Sequence, residues 1–281
     1  MGTARHPRFV GKVALVTGAA RGQGRHHCLR LAEEGADILA LDTSAAVDTI
    51  TYPLGSPEEL ADTVAEVRKL GRRAVALDAD LRDLSGLTTT IARGVDELGR
   101  LDVVLANAGI SNPAPTLDMS EHQWQTMIDI NLTGVWKTLK AAVPHIRVGG
   151  RGGSIVITSS LATFHTEESI GHYTAAKLGV VGLMRVLAKE LAPERIRVNT
   201  VHPTTVATPM ILKPDTYKLF RPDLENPTRA DFEEVASSLN RMGIAMLDVD
   251  DVSGPVLHLA SDEARFVTGT TYVVDAGASL S

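Results

Sequence analysis

The sequence predicts a doubly wound α/β fold, one domain on a parallel sheet of about seven strands flanked by helices. Three observations predict it. Short β-branched runs alternate with helical patterns along the chain. Runs such as Val13-Ala14-Leu15-Val16-Thr17 and Ile155-Val156-Ile157-Thr158 are continuously apolar, which suits strands covered on both faces. A glycine-rich turn follows the first run directly.

Taken in order, strands are expected at 13–17, 37–42, 73–78, 102–106, 154–158, 196–201 and 271–274. Helices are expected at roughly 24–34, 57–70, 83–98, 120–146, 172–191 and 249–260. Two helix starts are legible. Ser56-Pro57-Glu58-Glu59 combines an N-cap, proline at the first helical position and a capping-box glutamate. Ser120-Glu121-His122-Gln123 makes a capping box with glutamine. Two stretches exceed what the alternation needs: an insertion at about 43–55 after the second strand, and a proline-rich segment at about 208–240. Long loops of this kind usually cover a functional site.

The 281 residues suffice to bury a core without staples, and the single cysteine, Cys28, excludes an internal disulfide. The start lacks an apolar signal region, and His6 breaks the myristoylation pattern after Met1-Gly2. No apolar run is long enough for a membrane span. A net charge of −6 argues against a nucleic-acid partner, which would need clustered Lys and Arg. The expectation is a cytoplasmic protein acting on a small molecule.

The first turn reads Thr17-Gly18-Ala19-Ala20-Arg21-Gly22-Gln23-Gly24 and opens a helix. Glycines here permit a tight turn and let backbone N–H groups and the helix N-terminus approach a pyrophosphate. Asp42 ends the second strand, where a carboxylate can accept from ribose hydroxyls and repel a 2′-phosphate. It therefore favours NAD over NADP. Arg21 pulls the other way, but its flexible guanidinium can serve the pyrophosphate or solvent instead.

Tyr173 and Lys177, four apart in a helical stretch, share one face. A nearby ammonium is expected to lower the phenol's pKa toward use as a base. Ser159-Ser160 ends the fifth strand, on the edge where open parallel sheets bind ligands. His26-His27-Cys28 lacks the helical i, i+4 spacing of a metal pair, so no metal is expected.

The residues of the first turn, Ala106-Asn107-Ala108-Gly109, Asn131, Ser160 and Tyr173-Thr174-Ala175-Ala176-Lys177 together resemble the signature set of the short-chain dehydrogenase/reductase family, which has a Rossmann-type fold. The resemblance covers nearly the whole chain. It implies an enzyme that moves hydride between a nicotinamide dinucleotide and an alcohol/carbonyl pair. Ser160 would hold the substrate oxygen, Tyr173 would exchange its proton, and Lys177 would bind the nicotinamide ribose and tune Tyr173. Asn131 would anchor a water in the proton relay. Ser160 is preferred to Ser159 because it lies thirteen residues before the tyrosine, the family's spacing. Gly18, Arg21, Gly22, Gln23, Gly24, Asp42, Asp80, Leu81, Asn107, Ala108 and Gly109 would line the cofactor's adenosine and phosphate side. Pro203, Val206 and Thr208 would meet the nicotinamide, although Thr204 stands where the family has a glycine.

The insertion and the His202-Pro203-Thr204-Thr205-Val206 run resemble a narrower subgroup, the mycofactocin-associated, carveol dehydrogenase-like members. That resemblance implies tightly retained NAD, reoxidised in place by a redox carrier (mycofactocin), with Ile50, Tyr52, Pro53 and Leu54 covering the dinucleotide. Met210, Ile211, Leu212, Tyr217, Leu219 and Phe220 would form an apolar lid for an alicyclic or terpenoid-like secondary alcohol. Family likeness also implies a homotetramer built through helices 120–146 and 172–191. His172 is read as a capping or surface residue, His165 as a pocket candidate, and Trp124 and Trp136 as packing residues. Two other readings compete. One is a 3-oxoacyl carrier-protein reductase using NADPH, disfavoured by Asp42 and the acidic balance. The other is a dinucleotide sensor, which would have no use for a proton relay.

Overall fold

Side chains alternate across each strand, so one apolar run feeds two cores. In strand β1 (Val13–Thr17), Val13 and Leu15 enter one core while Ala14 and Val16 enter the other. Strand β2 (Asp37–Asp42) divides likewise, with Leu39 and Leu41 opposite Ile38 and Ala40. The computed structural model describes residues 7–280. The readings at Met1, Gly2 and His6 lie outside them.

The other strands are β3 (Ala74–Asp78), β4 (Val103–Ala106), β5 (Gly153–Thr158), β6 (Ile196–Pro203) and β7 (Thr271–Val274). All pair in parallel, in the order β3-β2-β1-β4-β5-β6-β7. The chain runs outward from β1 to β3, then restarts at β4 on the other side of β1. This reversal opens a crevice beyond the carboxyl ends of β1 and β4.

Helices α1 (Gly22–Glu33), α2 (Pro57–Lys69) and α9 (Val249–Ala260) cover one face of the sheet. The other face carries α3 (Leu84–Leu98), α5 (Gly134–Gly149) and α6 (Gly171–Leu191), with α4 (Glu121–Ile128) leading into α5. Both predicted capping boxes form, at Ser56 with Glu59 and at Ser120 with Gln123. The expected helix over 120–146 is instead interrupted by a π-turn at Asp129–Thr133. One residue more per turn barely changes the apolar period, so the sequence pattern hides it.

The segment at 208–240 is not a plain loop. It holds two short helices, α7 (Pro214–Phe220) and α8 (Arg229–Ser238). Phe232 fixes them together, stacked on Tyr217 with ring centroids 5.4 Å apart and edge-on to Phe220 at 4.9 Å. Trp124 and Trp136 differ from expectation: about two-fifths of each surface is exposed rather than packed within the chain. No helix among the described residues is long and apolar enough to cross a membrane.

Candidate active site

The turn after β1 is built for close backbone approach. Gly18 and Gly22 adopt left-handed φ of 69° and 56°, which side chains with a Cβ resist. A Cβ on Gly24 would stand 2.0 Å from the Gly18 carbonyl oxygen. Only glycine permits this cradle. Among its walls, Gln23 Oε1 is buried without a hydrogen-bond partner. The turn opens into a cavity lined also by Arg21, Asp42, Asp80, Leu81, Asn107, Ala108 and Gly109. Every residue expected on the adenosine and phosphate side therefore faces one space.

Asp42 accepts hydrogen bonds from the backbone N–H groups of Ala20 at 2.8 Å and Thr43 at 2.8 Å. Burial raises its pKa, and these bonds oppose the shift. Arg21 does not stand free for a phosphate. Its Nε donates to Glu59 at 3.0 Å, a second guanidinium nitrogen also pairs with Glu59, and Nη1 donates to the Pro53 carbonyl at 2.8 Å. Glu59, read from sequence only as a cap, thus neutralises the one cation that argued for a 2′-phosphate. Asp80 is held by Arg82, with an Nη2 contact of 2.7 Å.

A second cavity adjoins the first across Gln23, Asn107, Gly109, Thr208 and Met210. Ser160, Tyr173, Lys177, Pro203, Val206, Met210 and Ile211 line it. The two, about 170 and about 230 Å³, together fall within the roughly 300–1,000 Å³ of ligand sites. Leu212 and Tyr217 line neither cavity, a correction to the lid reading, whereas Leu219 and Phe220 do. The missing glycine at Thr204 costs nothing visible. Thr204 has no positive φ, and its N–H donates to the Val274 carbonyl at 3.1 Å.

The paired serines separate by task. Ser159 Oγ is buried and donates to the Lys177 carbonyl at 3.1 Å, tying β5 to α6. Ser160 Oγ accepts from the Ala162 N–H at 3.1 Å and hydrogen-bonds with Tyr173. Lys177 Nζ donates to the Thr158 carbonyl at 2.9 Å and lies 5.5 Å from the Tyr173 ring centroid. Burial pushes the Lys177 ammonium down to about 8.

The expected acidification of Tyr173 by its neighbour is not met. Burial raises the phenol's pKa, and only the Ser160 hydrogen bond opposes it. Removing an anion from water outweighs an ammonium that spends its nearest contact on a carbonyl.

Asn131 sits in the π-turn, fully buried and outside both cavities. Its Oδ1 accepts from the Ile110 N–H at 3.0 Å and its Nδ2 donates to the Ile110 carbonyl at 2.9 Å. The side chain is thus engaged in holding the end of β4. Gly109 makes room for this, since a Cβ there would meet Asn131 Oδ1 at 2.7 Å.

Other histidines resolve plainly. His165 lines the second cavity, 3.3 Å from the Glu167 carboxylate. His172 is buried rather than on the surface, a further correction. His26 and His27 each place Nδ1 2.7 Å from Ser253 Oγ, joining α1 to α9, and the adjacent Cys28 thiol is pushed up by burial.

Lys213 was not among the expected site residues and proves to be buried. Its Nζ lies 3.9 Å from the Tyr52 ring centroid and donates to the Ser111 carbonyl at 3.1 Å. A lysine in an apolar run carries no signal of burial.

Comparison with known proteins agrees with this geometry. The profile of the short chain dehydrogenases matches residues 12–216. A (-)-trans-carveol dehydrogenase of Rhodococcus erythropolis is 55% identical over 274 residues, covering 97% of this chain and 99% of that protein. The crystal structure of a carveol dehydrogenase from Mycobacterium avium in complex with NAD has a TM-score of 0.96 and 50% identity, covering 98% of this chain and all of that one. A 3-oxoacyl-[acyl-carrier-protein] reductase of Thermotoga maritima is 35% identical over 273 residues, 96% of this chain and 98% of that one. With a profile spanning most of its length and relatives aligned nearly end to end, the chain belongs to the short chain dehydrogenase family.

Proposed function

We propose that the chain is an NAD-dependent dehydrogenase that oxidises a secondary, alicyclic or terpenoid-like alcohol of the carveol type to its ketone. The observation that carries this reading is the shared wall between a glycine cradle ending at Asp42 and an apolar cavity holding Ser160 and Tyr173. Asp42 recognises ribose hydroxyls and repels a 2′-phosphate, and Glu59 occupies Arg21, so NAD is the dinucleotide. When bound, NAD accepts the hydride. Ser160 holds the substrate oxygen, Tyr173 as phenolate takes the hydroxyl proton and becomes a phenol, and the Lys177 ammonium favours the phenolate from which that transfer starts. Met210, Ile211, Leu219 and Phe220 exclude water and favour an apolar ring. The carrier-protein reductase reading loses ground on Asp42 and on the lower identity of that relative.

The finer reading is that NAD is retained through turnover and reoxidised in place by a redox carrier, mycofactocin in the subgroup resembled. It is supported by how firmly 43–55 is tied down. Pro53 is held by Arg21, and Tyr52 Oη accepts from the Ser111 N–H at 3.2 Å. Asn112 Nδ2 donates to the Thr49 carbonyl at 2.7 Å, and Thr51 Oγ1 donates to Asp215 at 2.5 Å. Lys213 closes over Tyr52. Val47, Tyr52, Pro53 and Leu54 line the dinucleotide side, while Ile50 packs behind them. A cover joined to the first turn, the end of β4 and the 208–240 segment slows release of what lies beneath. A homotetramer through α5 and α6 would cover the exposed Trp136, Leu178 and Val186.

The test is to denature extensively dialysed protein and identify what it releases, then to assay cyclic secondary alcohols with an artificial electron acceptor. Released NAD or NADH with turnover of such alcohols is expected. Protein that is empty and reduces 3-oxoacyl substrates with NADPH alone would overturn the reading.

A further inference from the structure

Among the described residues, His202, on β6, is the one buried imidazole that touches the Ser160 backbone. Its Nδ1 lies 3.0 Å from the Ser160 carbonyl oxygen and 2.9 Å from Thr163 Oγ1, and its Nε2 lies 2.8 Å from Thr200 Oγ1. A carbonyl only accepts, so the Ser160 contact assigns the proton to Nδ1, shared with Thr163 Oγ1. Nε2 then accepts from the Thr200 hydroxyl at 2.8 Å in preference to that hydroxyl's longer bond to the Thr270 carbonyl at 3.4 Å. Burial keeps the ring neutral, pushing its pKa down to about 4. Phe164 closes the site edge-on, with ring centroids 5.1 Å apart.

The Ser160 carbonyl is a point of convergence. Besides His202 it accepts the Thr163 hydroxyl at 2.9 Å and the Thr163 N–H at 3.2 Å. These donors fix the short 3₁₀ turn Leu161–Thr163, whose N-cap is Ser160. Ser160 lines the same cavity as Tyr173, and its side chain opposes the rise of the phenol's pKa. A peptide plane fixed at its carbonyl sets where the Ser160 Cβ stands, the Ala162 N–H then holds Oγ in one direction, and catalytic geometry tolerates only small misplacement.

We infer that His202 is a positioning residue, which holds the Ser160 carbonyl through Nδ1–H and so aims the Ser160 hydroxyl at Tyr173 and the substrate oxygen. The inference rests on the roles proposed for Ser160 and Tyr173. Strand β6 thereby reaches across to orient a side chain at the end of β5, and the neutral ring adds no charge beside Lys177.

Two amides test this. Asparagine has a nitrogen as many bonds from Cα as Nδ1, whereas the nitrogen of glutamine corresponds to Nε2. In His202→Asn the donor to Ser160 survives, and in His202→Gln it is lost while the amide nitrogen meets Thr200 Oγ1 as a donor, the Thr200 hydroxyl turning to the Thr270 carbonyl. His202→Gln should lower kcat about tenfold or more, the effect of one misplaced hydrogen bond, with KM and the amount of bound dinucleotide little changed. His202→Asn should recover most of kcat. Thr163→Val, which removes a neighbouring donor, should lower kcat less and add little to His202→Gln. Should His202→Gln fail to fold, Thr163→Val decides: a kcat equal to wild type overturns the inference. So does an equal fall in kcat for the two amides, or wild-type kcat in His202→Gln. Ser160→Ala separates the two levels: if it stays active, the catalytic reading itself fails. If it is inactive while His202→Gln turns over normally, only the positioning role fails.

Discussion

Replacing Lys177 with methionine should remove a pH dependence of stability that burial of this ammonium imposes. The native pKa is about 8, against 10.5 for an unburied lysine. Between those values the unfolded chain carries a proton that the native chain lacks, so raising the pH favours the native state. Below about pH 8 both states are protonated and native Lys177 bears the full desolvation cost. At about 1.4 kcal/mol per pH unit, the interval amounts to about 3 kcal/mol. Methionine removes that cost but strips the Thr158 carbonyl of its donor, at about 1–3 kcal/mol, so the two proteins should be of similar stability at pH 7.5. The wild type should then gain on the variant by about 2–3 kcal/mol between pH 7.5 and pH 10. Urea unfolding of both proteins, stripped of dinucleotide, reads this directly, because groups common to the two cancel in the difference. A stability difference that stays constant across that range would refute the reasoning.

Three further outcomes follow from the same geometry. Asn131→Ala leaves the Ile110 N–H and carbonyl unpaired in the interior and should cost about 2–5 kcal/mol in urea unfolding; a loss below about 1 kcal/mol would contradict the anchoring role. Asp42→Asn removes the charge that repels a 2′-phosphate and should raise kcat/KM with NADP relative to NAD by about tenfold, the worth of roughly 1.4 kcal/mol; an unchanged ratio would show that discrimination lies elsewhere. Because burial raises the Tyr173 phenol while Lys177 keeps its charge up to about pH 8, alcohol oxidation should climb from pH 6 to pH 8 while ketone reduction does not. A flat oxidation profile, with chemistry rate-limiting, would count against Tyr173 as the titrating group.

Much of this architecture is written in the chain at short range. Alternating strands such as β1 and β2 must feed two cores, and the capping boxes at Ser56 and Ser120 form where the pattern puts them. The cradle was legible because glycine at 18, 22 and 24 has few structural uses other than close approach. Long-range events were not. Arg21 is neutralised by Glu59, 38 positions away, and Lys213 is drawn onto Tyr52 from the segment after β6. Helical spacing brings Tyr173 and Lys177 together, but the sign of the phenol's shift depends on desolvation, which no local spacing encodes. The π-turn at Asn131 escaped because one added residue leaves the hydrophobic period nearly intact.

The measurement closest to the central claim is single-turnover alcohol oxidation by Tyr173→Phe protein with its dinucleotide still bound. Removing one oxygen atom should slow hydride transfer by about 10²–10⁴-fold while the dinucleotide content stays that of the wild type. Oxidation at the wild-type rate would mean that the proton leaves by another route.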